Sequence, residues 1–199
     1  MSFGPHLRPQ WLLNPGVTFL NHGSFGATPR VVLAAQRQWQ DRLEQQPVQF
    51  MSHTGPAEVR RVAGLLAEVL GTAEENLVLV DNATTGINAV LRSFPWCPGD
   101  RVLVTSHTYG AIRKAATFIH QTQGVDLVEL ALPFPVAEPQ AILAALEQAL
   151  RTPYRLALLD HITSTTALIL PLKAMIDCCH HYGVPVLVDG AHAPGMVEV

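Results

Sequence analysis

Apolar residues recur along this chain at two spacings, which predict two kinds of element. In the first part, apolar faces at helical spacing predict one helix from Pro29 to about Gln46 and another from Gly55 to Gly71. From residue 77 onward, short apolar runs alternate with amphipathic stretches. This alternation is typical of a mostly parallel β-sheet with helices on both faces, and so predicts an α/β fold.

The remaining segments complete the predicted organisation. Residues 1–29 contain several Pro and Gly residues and predict an irregular N-terminal arm, while residues 30–199 predict part of one large domain. Thr72 to Glu75 has the pattern of a capping box that opens a short turn. The predicted strands are 77–80, 101–105, 126–130, 155–160 and 184–188, and the predicted helices between them are 84–94, 111–120, 139–150 and 171–182.

Composition narrows the class of protein. The 199 residues are 48% hydrophobic and 15% charged, below the roughly 25% charged residues of an average domain, which predicts extensive burial in a core or an oligomer. With a net charge of -3 and no basic block, neither nucleic acid nor an anionic membrane is an expected partner. No apolar run is long enough for a membrane span, and Met1–Gln10 lacks the apolar core of a signal peptide. Three cysteines make no disulfide framework, so we expect a cytoplasmic protein.

The residues after the predicted strands are the candidates for chemistry, because parallel α/β sheets bind ligands at the carboxyl ends of their strands. After strand 77–80, the small and hydroxyl residues Ala83, Thr84 and Thr85 open a helix. Backbone N–H groups at such a helix start suit a phosphate group. Plain helix capping by Asn82 or Thr84 is the alternative interpretation.

The other three strand ends carry further candidates. Tyr109 could stack on a planar ring or pack on the surface, and the polar residues around Ser164 could bind a ligand oxygen or form an ordinary turn. The last strand ends in Asp189, followed by His192. A buried carboxylate should meet a cation, although Asp189 could instead cap the next loop. Taken together, the four loops match pyridoxal phosphate, whose pyridinium nitrogen would pair with the acid.

At these residues the chain resembles the class V aminotransferase family of fold-type I pyridoxal-phosphate enzymes. The motifs are Phe19–Gly26 (FLNHGSFG), Asn82–Gly86 (NATTG) and Val188–His192 (VDGAH). The Asn-His-Gly-Ser stretch resembles the isopenicillin N epimerase branch, with the cysteine desulfurases as more distant relatives. The resemblance implies a large domain like that of aspartate aminotransferase, an amino-acid substrate and a homodimer.

The resemblance also implies roles for individual residues. Tyr109 would stack on the cofactor ring, and Asp189 would pair with the pyridinium nitrogen. Ser164, with Thr163 as the neighbouring choice, and His192 would lie near the ring hydroxyl. The phosphate would be held by Ala83, Thr84 and Thr85, and the substrate would lie near Asn21, His22 and Gly23, although His22 could simply be a packed residue of the arm.

The chain departs from the family pattern at its C-terminal end. The family's Schiff-base lysine follows the acid at a distance that would place it beyond Val199, so no catalytic residue is assigned. Lys114 and Lys173, the two lysines present, are expected to be solvated helix positions. The small C-terminal domain is expected to be absent, which predicts an incomplete large domain and an N-terminal fragment that is inactive alone.

These features leave several functions open. Epimerase-like or aminotransferase-like chemistry at the α-carbon of an amino acid is the favoured interpretation. One alternative is a non-catalytic remnant or interaction module that keeps the fold, and another is a desulfurase or lyase of the same cofactor class. A hydrolase or metal enzyme is disfavoured, and no metal is expected, because the G-x-S-x-G, H-E-x-x-H and C-x-x-C motifs are absent.

Overall fold

The computed structural model describes residues 4–135 and 138–197. The chain divides into two compact units, Met1–Leu79 and Val80–Val199. The predicted boundary after residue 29, between an arm and a large domain, stays a prediction.

The first unit is helical where it is regular. Both long helices predicted from the sequence are confirmed, and the second ends at Gly71 in the left-handed conformation (φ 66°) that favours glycine. The elements are a 3₁₀ turn Pro5–Gln10, α1 His22–Phe25, α2 Arg30–Gln45, α3 Pro47–Gln49, a π-helical turn Phe50–Thr54, α4 Gly55–Leu70 and a 3₁₀ turn Glu74–Asn76.

Two details of the first unit differ from the sequence prediction. The segment between α2 and α4 is helical, because Pro47 stands in a first turn, where its missing N–H costs nothing. The prediction of a capping box at Thr72 is wrong, because the turn Glu74–Asn76 has no side-chain cap. The Thr72 N–H instead donates to the Ala67 carbonyl at 3.0 Å, which closes the C-terminus of α4 beside Gly71.

The second unit is built on a sheet of four parallel strands in the order β2-β1-β3-β4. Eight of the nine strands and helices predicted for this region are confirmed with small shifts at their ends. In chain order the elements are α5 Ala83–Ser93, β1 Arg101–Thr105, α6 Gly110–Gln123, β2 Asp126–Leu130, α7 Pro139–Leu150, β3 Leu156–Asp160, α8 Leu172–His181 and β4 Val186–Asp189.

Alternate residues of the strands face two separate cores. Leu103 and Leu159 pack on one face with residues of α7 and α8, whereas Val104 and Leu158 pack on the other with residues of α5 and α6. The strands are apolar on both faces because helices cover both faces. The predicted α/β class, with helices on both sides of a parallel sheet, is therefore confirmed.

The predicted strand Leu77–Val80 is wrong. These residues have no regular secondary structure and pair with none of the four strands, and Val78 is 74% exposed. The Leu77 carbonyl accepts a hydrogen bond from Arg60 at 2.9 Å instead. An apolar run predicts a strand only when a neighbouring strand offers its N–H and C=O groups, and sequence spacing carries no information about that neighbour.

Candidate functional site

The loops at the carboxyl ends of the strands bring several predicted residues to one edge of the second unit. Tyr109 follows β1, Ser164 follows β3, and β4 ends at Asp189, with His192 beyond it. A helix that connects parallel strands runs back against them, so α6 begins at this edge. α5 precedes β1 and packs against α6 and β4.

Two buried acids stand side by side at this edge. Asp160 of β3 and Asp189 of β4 are register partners on neighbouring parallel strands, and they are 2% and 6% exposed. Each stands two residues after a leucine of the core under α5 and α6, Leu158 and Leu187 respectively, so both carboxyls project toward that face. Within residues 4–135 and 138–197, no Lys, Arg or His forms an ion pair with either acid.

The two acids differ in their hydrogen bonds. Asp189 Oδ1 accepts the Ala191 backbone N–H at 3.1 Å. Asp160 Oδ2 is fully buried and has no hydrogen-bond partner in the described part of the chain. Burial, and secondly the negative charge of Asp189, raise the pKa of Asp160 from 3.8 to about 6, while the Thr108 hydroxyl and the Tyr109 backbone N–H act in the opposite direction.

Asp160 is the functional candidate that the sequence analysis missed. One signal was available, since Asp160 ends an apolar run as Asp189 does. The register that places the two carboxyls side by side comes from strand pairing, which sequence spacing does not give.

The start of α5 supports both interpretations of the sequence. Asn82 is a true N-cap: its Oδ1 accepts the Thr85 backbone N–H at 2.9 Å and the Thr85 hydroxyl at 3.2 Å. The N–H groups of Ala83 and Thr84, and the Thr84 hydroxyl, have no partner among the described residues. These donors lie at the positive end of the helix dipole, an environment suited to an anion.

The three remaining cofactor candidates have accessible side chains. Tyr109 is the N-cap residue of α6 and is 44% exposed. Ser164 lies half-buried in a turn after β3, and His192 lies half-buried after β4. Their side chains form no hydrogen bond with any residue that the structure describes. All three are therefore free to contact a ligand at this edge.

A chain of hydrogen bonds ties two of these loops together. His107 Nδ1 lies 2.9 Å from the Thr166 hydroxyl, which lies 2.7 Å from the hydroxyl of the buried Thr163. The Leu168 backbone N–H donates to that last hydroxyl at 2.9 Å. These hydrogen bonds fix the turn that carries Ser164 relative to the loop that carries Tyr109. In the sequence, His107 lies two residues before the candidate Tyr109. No sequence pattern indicated that its ring would contact Thr166.

The predicted substrate residues belong to the first unit. Asn21 precedes the short helix α1, and Gly23 lies within it. The His22 ring packs edge-on against Phe19, with centroids 4.7 Å apart, and its Nδ1 accepts the Ala27 N–H at 3.4 Å. These contacts fit the alternative of a packed arm residue, and the substrate role stays a prediction.

Both lysines are exposed on helices, as expected from the sequence. Lys114 lies on α6, and Lys173 on α8 pairs with Asp177 at 2.7 Å. Neither lies in a strand-end loop of the candidate site.

The fold is that of the fold-type I pyridoxal-phosphate proteins, of which this chain matches about half, as two solved structures show. A structure titled as the cystine C–S lyase C-DES with its product cysteine persulfide is 26% identical with a TM-score of 0.81, and the match covers 91% of this chain and 49% of that one. A second structure, titled as a C-DES mutant with glycine covalently linked to the PLP cofactor, is 27% identical with a TM-score of 0.83 and covers 96% and 51%.

The family described as Aminotransferase class-V matches residues 19–199, and the chain belongs to that family. It is 36% identical to a putative L-cysteine desulfhydrase 1 of Oryza sativa subsp. japonica, over 92% of this chain and 41% of the relative. It is 30% identical to an isopenicillin N epimerase of Streptomyces clavuligerus, over 96% and 48%. The chain spans less than half the length of these curated relatives.

Proposed function

We propose that this chain supplies the pyridoxal-phosphate site of an enzyme that acts at the α-carbon of an amino acid. The observation that carries the proposal is Asp189, a carboxylate 6% exposed at the carboxyl edge of the sheet, without a cationic partner among the residues described. A buried carboxylate is costly unless it meets a cation or strong donor, and a protonated pyridine nitrogen offers both. Family membership supports the same cofactor.

The other site residues fit the remaining parts of the cofactor. The free donors of Ala83 and Thr84, with Thr85 beside them, would hold the phosphate at the start of α5. Tyr109 would lie against the ring, and Ser164 and His192 would lie near its hydroxyl. When bound, pyridoxal phosphate supplies an electron-accepting ring that stabilises negative charge at the substrate's α-carbon.

Binding tests this proposal directly. The 199-residue chain is titrated with pyridoxal phosphate and followed by absorbance, with Asp189→Asn as the variant and Asp177→Asn as the matched surface control. We expect Asp189→Asn to weaken binding roughly tenfold or more, because it removes the charge that faces the ring nitrogen, and the control to bind as wild type. Equal affinity in all three proteins would contradict the role of Asp189.

Reduction with borohydride followed by mass analysis examines covalent attachment. Because Lys114 and Lys173 lie on exposed helix surfaces outside the strand-end loops, we expect any adduct there to grow in proportion to excess pyridoxal phosphate, as for any exposed amine. A saturable, stoichiometric adduct at one of them would show that the site includes a lysine we have not assigned to it.

Two reaction types remain as candidates for the enzyme. Epimerase-like or aminotransferase-like chemistry is our first proposal, supported by the match to isopenicillin N epimerase. Carbon–sulfur cleavage is the second, favoured by the higher identity to a putative L-cysteine desulfhydrase. With saturating cofactor, racemisation or transamination of L-alanine supports the first, and sulfide release from L-cysteine supports the second.

Assembly and location are also proposals. Exposed apolar residues on the long helices of the first unit, Val31, Val59 and Val69 among them, support a homodimer, which light scattering on the purified chain would measure.

Among residues 4–135 and 138–197, no helix combines the length and apolarity needed to cross a bilayer. We propose a cytoplasmic location, with plastids as the alternative because one relative from Arabidopsis thaliana is named as chloroplastic.

A further inference from the structure

We propose that Asp160 is a positioning residue that acts through Asp189, because gain or loss of the Asp160 proton sets the net charge of the acid pair at the cofactor site. The inference rests on the proposed function, because it assigns a second acid to the same cofactor site.

Strand pairing forces the two carboxyls together. Asp160 and Asp189 are register partners on β3 and β4, and neighbouring strands lie about 4.8 Å apart. Both side chains project toward the face covered by α5 and α6. Two negative charges at this separation, both away from water, repel each other strongly, so one of the acids tends to stay neutral.

The surroundings indicate which acid keeps the proton. Asp189 Oδ1 accepts the Ala191 backbone N–H at 3.1 Å. Asp160 Oδ2 is buried and has no donor in the described part of the chain, and burial outweighs the Tyr109 N–H and the Thr108 hydroxyl, which lower the pKa of Asp160. With its pKa raised to about 6, Asp160 is protonated below that pH and ionised above it.

Other charged groups nearby do not alter the assignment. Arg113, in the first turns of α6, forms an ion pair with Glu129 at 2.6 Å and donates a hydrogen bond to the Thr105 carbonyl at 2.7 Å. Arg92 lies in the last turn of α5, away from its N-terminal end, over the Phe118 ring. Asp189 is thus the charged group that acts on Asp160, with the Thr108 hydroxyl and the Tyr109 N–H as neutral donors.

The net charge of the Asp160–Asp189 pair should affect the affinity for the cofactor. Pyridoxal phosphate carries negative charge on its phosphate, and it needs one carboxylate for its ring nitrogen. A second ionised carboxylate beside the first would repel the phosphate and serve no partner of its own. Asp160 would therefore act through Asp189, by setting the net charge of the pair.

The protonation state can be measured without the cofactor. Carbon-13 NMR of the chain labelled at aspartate carboxyls should show one resonance that titrates with a pKa near the value of about 6. That resonance should disappear in Asp160→Asn, and its midpoint should fall in Asp189→Asn. If every aspartate titrates below about pH 5, or if Asp189→Asn leaves the midpoint unchanged, the pair does not exist as proposed.

The positioning role is tested by the pH profile of cofactor affinity. From about pH 5 to about pH 8, wild-type affinity for pyridoxal phosphate should fall roughly tenfold relative to Asp160→Asn, because only the wild type gains a second charge. Asp177→Asn should follow the wild type. Parallel profiles for wild type and Asp160→Asn would overturn the role. Failure of all variants to bind would count against the proposed function, and the NMR titration would then decide the acid pair alone.

Discussion

The buried carboxyl of Asp160 should make the stability of the fold depend on pH. Its pKa is raised from 3.8 to about 6, so the folded state binds the proton more tightly than the unfolded state. The stabilising contribution is complete below about pH 4 and is lost as pH rises through about 6. Over this window the wild type should lose up to about 3 kcal/mol relative to Asp160→Asn, which carries no titrating group there.

Urea unfolding of both proteins at about pH 4, 6 and 8 gives this difference, because the variant removes the Asp160 titration and leaves every titrating group outside the acid pair unchanged. Asp177→Asn is the matched control, since its carboxylate is exposed and pairs on the surface of α8 with Lys173. The control should follow the pH dependence of the wild type. A constant difference between wild type and Asp160→Asn across the three pH values would contradict the protonation of Asp160.

Among the elements, α5 depends most visibly on a single side chain. Asn82 caps its first turn through two hydrogen bonds, so Asn82→Ala should cost about 1 kcal/mol of unfolding free energy. Asn82→Ser should restore most of this stability, because a serine hydroxyl can accept the same N–H. Thermal or urea unfolding measures both variants. If Asn82→Ala and Asn82→Ser were equally stable, the cap would not contribute.

The helices and strands that the sequence predicted correctly are those whose signals are local. Periodic apolar faces and terminal signals such as Pro56 and Gly71 depend only on neighbours in the sequence. The failed strand at Leu77–Val80 required a partner strand. The register of Asp160 with Asp189 and the contact of His107 with Thr166 are likewise set by pairing between distant segments. Strand-end residues could be located from the sequence, but their mutual contacts could not.

At the scale of the whole molecule, the buried apolar residues are divided very unequally. The two core clusters contain residues of the second unit, between Ile87 and Leu187. In the first unit, the buried hydrophobic residues among those described are Ala63 and Ala67. Burial of apolar side chains is the main stabilising contribution to a fold. Apolar burial therefore stabilises the helices α2 and α4 far less than it stabilises the sheet.

This imbalance predicts different local stabilities within one chain. In hydrogen exchange at neutral pH on the monomer, at a concentration where light scattering shows no dimer, amides of α2 and α4 should exchange roughly a hundredfold faster than amides of β1 and β3 after correction for intrinsic rates. Limited proteolysis should cut first at the exposed residues around Val78, leaving a fragment that begins near Val80. Because this fragment contains both core clusters, its strands should keep their protection after cleavage. Equal protection in the helices of the first unit and the strands of the second would instead show that the chain unfolds as one cooperative body.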